Sequence, residues 1–161
     1  MTERSTHMRL HVGTDHAGFK LARFLIARLA DDDVEIIDHG AHEFDSDDDY
    51  PAPCIAAAEA VVADPGSLGL VLGGSGNGEQ MAANLVLGVR AALVWNLETA
   101  RLARAHNDAN VMALGARQHS EQDALQLVQT FLRTPFSGDP RHGRRIEQMS
   151  RYEGAGRKAQ H

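Results

Sequence analysis

The chain has 161 residues, 43% hydrophobic and 24% charged, with 16 Lys+Arg against 22 Asp+Glu and a formal charge of −6. That is the make-up of one globular domain closing a single core, and its negative balance argues against non-specific nucleic-acid binding. The single cysteine, Cys54, excludes an internal disulfide and a cysteine-based zinc site.

No apolar run approaches the roughly 18 residues of a membrane helix, and MTERSTH lacks the apolar core of a signal peptide. The expectation is a soluble cytoplasmic protein with neither a membrane nor a nucleic-acid partner. In chain order, RLHVG (9–13) reads as a strand and is followed by a helix over about 17–31, with Phe19, Ala22, Leu25, Ile26 and Leu29 on one stripe. VEII (34–37) is a second strand. The acidic run EFDSDDDY (43–50) reads as a solvated loop, and a helix opens at Pro51, a good first-turn residue. Further strands are LGLVL (68–72), VRAALVW (89–95) and NVMALG (110–115). Asn96 and Ser120 are candidate N-caps for the helices LETARLARAH and EQDALQLVQTFLR, and a last helix covers about 140–152. Cys54 and Trp95 are expected to pack in the interior.

Such alternation specifies an α/β fold: a three-layer α/β/α sandwich on a five-stranded, mainly parallel, doubly wound sheet with a C-terminal helix. The expected strand order is 2-1-3-4-5, within one domain over 8–152 and between disordered tails at 1–7 and 153–161. In that order GTDHAG (13–18) and GGSGNGE (73–79) leave the first and third strands side by side and face a common crevice.

The segment GLVLGGSGNGEQMAAN (69–84) runs a strand into glycines at 73, 74, 76 and 78 and then one carboxylate, Glu79. Glycine lets a ligand approach backbone N–H groups and a helix N-terminus. A dinucleotide fingerprint would need glycine where Glu79 or Met81 stands, and a P-loop would need lysine where this loop offers an acid. A carboxylate there repels phosphate. The loop therefore suits a carbonyl or enolate oxygen that gains negative charge while Glu79 moves a proton. The plain alternative is a tight strand-to-helix turn.

Other candidates also lie at element ends. Asp15 and His16 follow the first strand, as an acid and an imidazole or as an N-cap with a bystander. His106 and Asn107 end a helix, where C-capping alone would explain them. Arg141 and Arg145, four residues apart beside His142 and Arg144, can grip a phosphate or form an ordinary basic face, and Arg117 follows the fifth strand. His39 and His42 meet no metal-ligand spacing, so no metal or other cofactor is expected.

Together, GTDHAG, DDDYP, GLVLGGSGNGEQMAAN, ARAHNDANVMALGAR and RHGRRIEQM resemble, in order and interval, the type B ribose-5-phosphate isomerases, within the wider sugar-phosphate isomerases that include galactose-6-phosphate isomerase subunits. The resemblance covers about residues 8–152. It implies a metal-independent homodimer, or dimer of dimers, with sites at the subunit interface and a sugar phosphate as substrate. It also makes Glu79 the base between C1 and C2, with Gly74, Ser75, Gly76, Asn77 and Gly78 around the enediolate oxygen. By the same resemblance His106 opens the furanose ring with Asp15 assisting, Asn107 contacts hydroxyls, His16, Arg117, Arg141 and Arg145 hold the phosphate, and Tyr50 lines a wall. Many members of that family carry a cysteine base where Gly73 stands here, so this chain resembles the actinobacterial branch with its glutamate. A second departure is AANL, ending in Leu85, where AANK is common. The alternatives are an isomerase of a tetrulose or hexose phosphate, or a non-catalytic phosphate- or nucleotide-binding module.

Overall fold

The structure, a computed structural model, describes residues 7–158. Strands β1 (Met8–Thr14), β2 (Val34–Asp38), β3 (Leu68–Gly73), β4 (Ala91–Val94) and β5 (Val111–Gly115) alternate with α1 (His16–Ala30), α2 (Pro51–Ala63), α3 (Asn77–Asn84), α4 (Leu97–Ala105) and α5 (Glu121–Arg133). The C-terminal helix α6 spans Pro140–Lys158. It runs six residues past its expected end, so 153–158 of the expected C-terminal tail are helical; residues 1–6 and 159–161 of the expected tails lie outside the described residues.

All four strand pairings are parallel. Their order is β2-β1-β3-β5-β4, which keeps the α/β/α class but corrects the expected order by exchanging the last two strands. The physical reason lies in the strands themselves. All five residues of VMALG are buried, as an interior position between two neighbours demands, whereas AALV is short and half-exposed in its middle, as suits an edge. The exchange has a consequence for the site: Gly73 pairs with Gly115, so the chain leaving β5 lies directly against the chain leaving β3.

Two apolar layers hold the helices. Leu10, Val12, Leu70, Leu72, Met112 and Leu114 face α1, α4 and α5, where Leu25, Ala100 and Phe131 meet them. On the other face Val71, Val111 and Ala113 pack on Cys54, Ala57 and Val61 of α2 and on Ala82 and Ala83 of α3. Full burial of each large aliphatic side chain contributes about 1.5–3 kcal/mol. On α1 the buried stripe includes Gly18, Leu21, Ala22, Leu25 and Leu29, so Leu21 replaces the expected Phe19 and Ile26. Cys54 is a core residue as expected, and burial pushes its thiol up out of the reactive range. Trp95 corrects its expectation: it follows the edge strand and is 63% exposed.

The predicted caps form. The Ser120 hydroxyl accepts the Asp123 N–H at 3.1 Å, and Asn96 makes the reciprocal capping box with Thr99. Among the described residues of α6 only His142 is buried. No helix among the described residues is long and apolar enough to cross a membrane.

Candidate functional site

The carboxyl ends of β1, β3 and β5 converge. After β3, the turn into α3 is made by Gly76, whose φ of 84° is the left-handed conformation that glycine adopts without strain. Glu79 then falls in the first turn of α3, and it is only 4% exposed. Its carboxylate lies on the bare Cα of Gly73: a Cβ built there would be 1.6 Å from Glu79 Oε1 and 2.1 Å from Cδ. Position 73 must therefore lack a side chain for Glu79 to sit where it does. Burial raises the Glu79 pKa and the neighbouring Asp15 charge raises it further, while the N–H groups of Glu79 itself and of Gly76 pull the other way. A carboxyl group tuned upward in this way is better suited to take and return a proton than a solvated one.

The walls of this crevice come from four segments. Arg117, two residues beyond β5, places Nη1 3.0 Å from where a Cβ on Gly74 would be, and its N–H donates to the Gly74 carbonyl at 3.1 Å. Tyr50, just before α2, brings its hydroxyl to 2.3 Å from the corresponding point on Gly78. The Ser75 hydroxyl accepts the Asn77 N–H at 3.3 Å. Asp15, 6% exposed, caps α1 by accepting the N–H groups of Ala17 and Gly18, so its structural role is realised alongside its place beside Glu79.

His16 is held by a residue that sequence reasoning missed. Asp48 Oδ1 accepts both the His16 backbone N–H and Nδ1–H at 2.8 Å, and this bond raises the His16 pKa. Asp48 belongs to the acidic run expected to be solvated; its neighbours Asp45, Asp47 and Asp49 are exposed, and the uniform charge of the run conceals the one member that turns inward. Asp15, His16 and Asp48 offer ligand atoms within 4.8 Å of one another, a spacing open to a cation. Yet Asp15 Oδ1 and Asp48 Oδ1 are each taken by two N–H donors. His39 and His42 serve elsewhere: His39 Nε2 lies 2.8 Å from His11 Nδ1, and His42 lies 3.7 Å from Asp38.

The remaining candidates form a second group. His106 caps the C-terminus of α4, its N–H donating to the Leu102 carbonyl, and its ring stacks on His142 at 4.0 Å between centroids. Asn107 follows it, exposed, with its carbonyl accepting from Arg90 Nε at 3.0 Å. Arg141 and Arg145 are exposed on the first turns of α6, free of any acidic side-chain partner within salt-bridge distance among the described residues. His142, named in the sequence only as a neighbour of these arginines, is the buried member of the group. Among the described residues no hydrogen bond, ion pair or ring contact joins this second group to the first. Exposed apolar side chains lie nearby in the chain: Met81 on α3, Leu85 and Leu87 just after it, and Met149 on α6.

The model of the ribose/galactose isomerase family matches residues 10–149. The chain is 56% identical over 146 residues to ribose-5-phosphate isomerase B of Mycolicibacterium paratuberculosis, covering 91% of this chain and 92% of that protein. It is 54% identical to the protein of the same name from Mycobacterium tuberculosis H37Rv, over 91% and 90% of the two chains. Among solved structures, ribose-5-phosphate isomerase B from Mycoplasma genitalium with bound ribulose-5-phosphate superposes with a TM-score of 0.87 at 37% identity, covering 92% and 99% of the chains. Type B ribose 5-phosphate isomerase from Trypanosoma cruzi gives 0.89 at 37%, over 94% and 99%.

Proposed function

Because the chain belongs to the ribose/galactose isomerase family, we propose that it interconverts D-ribose 5-phosphate and D-ribulose 5-phosphate through a cis-enediolate, with Glu79 as the base. The observation that carries this reading is the Glu79 carboxylate, buried against a side-chain-free Gly73 at the mouth of a glycine loop. The proton travels between C2 of the aldose and C1 of the ketose, and a carboxyl group whose pKa is raised by burial is the stronger base to accept and return it. Backbone N–H groups from Gly74 to Gly78, with Ser75 and Asn77, face the oxygen on which negative charge develops.

An aldose phosphate reaches this crevice mainly as a furanose, so a separate group must move protons on and off the ring oxygen. His106 has that role, with Asp15 assisting and Asn107 contacting the hydroxyls. His16, whose pKa is raised by its bond to Asp48, joins Arg117, Arg141 and Arg145 around the phosphate. Tyr50 forms the wall beside Gly78. The arginines bind ground and transition states alike, and that remote grip holds the reacting carbons in register with Glu79.

The two groups of residues belong to one site shared by two copies of the chain. A homodimer supported by the exposed Met81, Leu85 and Leu87, and by the lightly packed α6, would set His106 and the α6 arginines of one copy over the Glu79 crevice of the other. Residues 8–152 act as a single domain, and a reducing cytoplasm suits its lone thiol.

The test is conversion of ribose 5-phosphate in EDTA by the wild type and by Glu79→Gln. The wild type should turn over unaffected by the chelator, and the variant should lose about 10²–10⁴-fold in kcat. Near-normal turnover by the variant refutes Glu79 as the base. An inactive wild type refutes the substrate and directs the assay to tetrulose and hexose phosphates.

A further inference from the structure

Two imidazoles meet where α4 ends and α6 begins. The rings of His106 and His142 stack with centroids 4.0 Å apart and planes 29° from parallel, and His142 is 8% exposed. The connecting segment builds this contact. Ser137 N–H donates to the Ala105 carbonyl at 3.0 Å, which ties the segment to the end of α4. The Ser137 hydroxyl oxygen accepts the Asp139 N–H at 3.1 Å and lies 3.1 Å from His142 Nδ1. The hydroxyl can donate to Nδ1 or, through its second lone pair, accept from Nδ1–H, so the contact accommodates either tautomer of a neutral His142.

The surroundings of His142 favour that neutral form. His106 and, beyond it, Glu98 approach from α4, Asp139 from the connecting segment, and Arg141 and Arg145 from α6. Burial holds the His142 pKa below the ordinary histidine value; the charges of His106, Arg141 and Arg145 act in the same direction, and Asp139 alone opposes them. Two imidazolium rings face to face at this distance would repel, so the stack itself adds to the factors that disfavour a charged His142.

Resting on the isomerase reading above, we propose that His142 is a positioning residue for ring opening: its ring, stacked on His106 and held at Nδ1 by Ser137, fixes the plane of the His106 imidazole that transfers the proton. His142 does not itself touch the sugar. Its effect reaches the reaction through His106, and only the step that needs His106 should register it.

Two assays separate that step from the chemistry at Glu79. One is conversion of ribose 5-phosphate, which begins with ring opening. The other is solvent exchange of the C1 proton of ribulose 5-phosphate, an acyclic ketose because its 5-oxygen carries the phosphate. His142→Gln keeps a polar group near Ser137 but loses the stack, whereas His142→Phe keeps a flat neutral ring. The first variant should convert ribose 5-phosphate about 10- to 100-fold more slowly, the loss expected when a catalytic group is misplaced by about 1 Å, while its C1 exchange stays within about twofold. The phenylalanine variant should recover most of the lost conversion. By NMR, His106→Asn should move the His142 titration midpoint upward, towards the ordinary histidine value. Equal losses in both assays, or unimpaired conversion by His142→Gln, overturns the inference. A wild type inert in both assays removes the isomerase reading itself, an outcome distinct from failure of the variant comparison.

Discussion

A methyl group on Gly73 has nowhere to go except into the Glu79 carboxylate. The Cβ of an alanine there would lie 1.6 Å from Oε1, 2.1 Å from Cδ and 2.8 Å from Oε2. To regain ordinary contact the nearer oxygen must retreat by about 2 Å. The backbone itself accepts the change: Gly73 ends a strand and is not among the positive-φ glycines, and its carbonyl keeps the bond from the Ala116 N–H. Gly73→Ala should therefore fold normally while the proposed base, Glu79, stands out of line. A displacement of about 1 Å costs on the order of 10²-fold in rate, equivalent to about 2.7 kcal/mol on the barrier. The assay is ribose 5-phosphate conversion across substrate concentration. The loss should fall on kcat, with KM within about threefold, because the phosphate groups are untouched. Combining Gly73→Ala with Glu79→Gln should be no slower than Glu79→Gln alone, since both remove the same carboxylate from its position. A Gly73→Ala enzyme within about threefold of wild type would refute the reasoning that this carboxylate, in this place, is the base.

Two further changes test the electrostatics. Asp48→Asn removes the carboxylate charge that strengthens the bond raising the His16 pKa, so His16 should lose its charge at a lower pH; the KM for ribose 5-phosphate should rise in the variant as pH increases through neutrality, and an unaltered KM–pH profile would separate His16 from phosphate binding. At the far end of β1, the Arg9 guanidinium and then His11 hold the Asp64 carboxyl down at about 2. A depressed folded-state pKa contributes stability above the unfolded value of 3.8 and loses it as pH falls towards 2. Asp64→Asn should thus lower Tm at pH 7 and converge with wild type near pH 2, and thermal melts across that window would show a constant gap if the bond were irrelevant.

Much of the architecture was legible because buried strands and amphipathic helices write different periods. LGLVL and NVMALG read as strands without a break, and β3 and β5, which they became, both lie in the sheet interior. Strand order was less legible, since a right-handed crossover allows the fourth strand to skip a place as readily as to fill it. The deciding difference, continuous burial of β5 against the half-exposed centre of β4, depends on neighbours that the linear pattern does not name. Trp95 shows the same limit: a large aromatic after an apolar run implies packing, and only its position beyond the edge strand leaves it 63% exposed.

The site divides by the range of its interactions. Gly76 and Glu79 were readable because loop and base lie within one strand–turn–helix unit. Asp48 was not, because it acts across 32 residues on His16 from inside a run of identical charges. His142 was visible only as a member of a basic segment; its partner His106 lies 36 positions earlier, and the stack exists because Ser137 ties the intervening segment to Ala105. Gly73 and Glu79 carry the point furthest. Six positions apart in the sequence, they meet at one point in space, where the side chain of one can stand only because the other has none. The resemblance places a cysteine base in relatives at the position of Gly73, and the geometry gives that exchange a physical form: a side chain projecting from the end of β3 and the Glu79 carboxylate projecting from α3 occupy the same volume. On the proposed reading of Glu79 as the base, the two elements are alternative places from which a base can reach the same point beside the glycine loop.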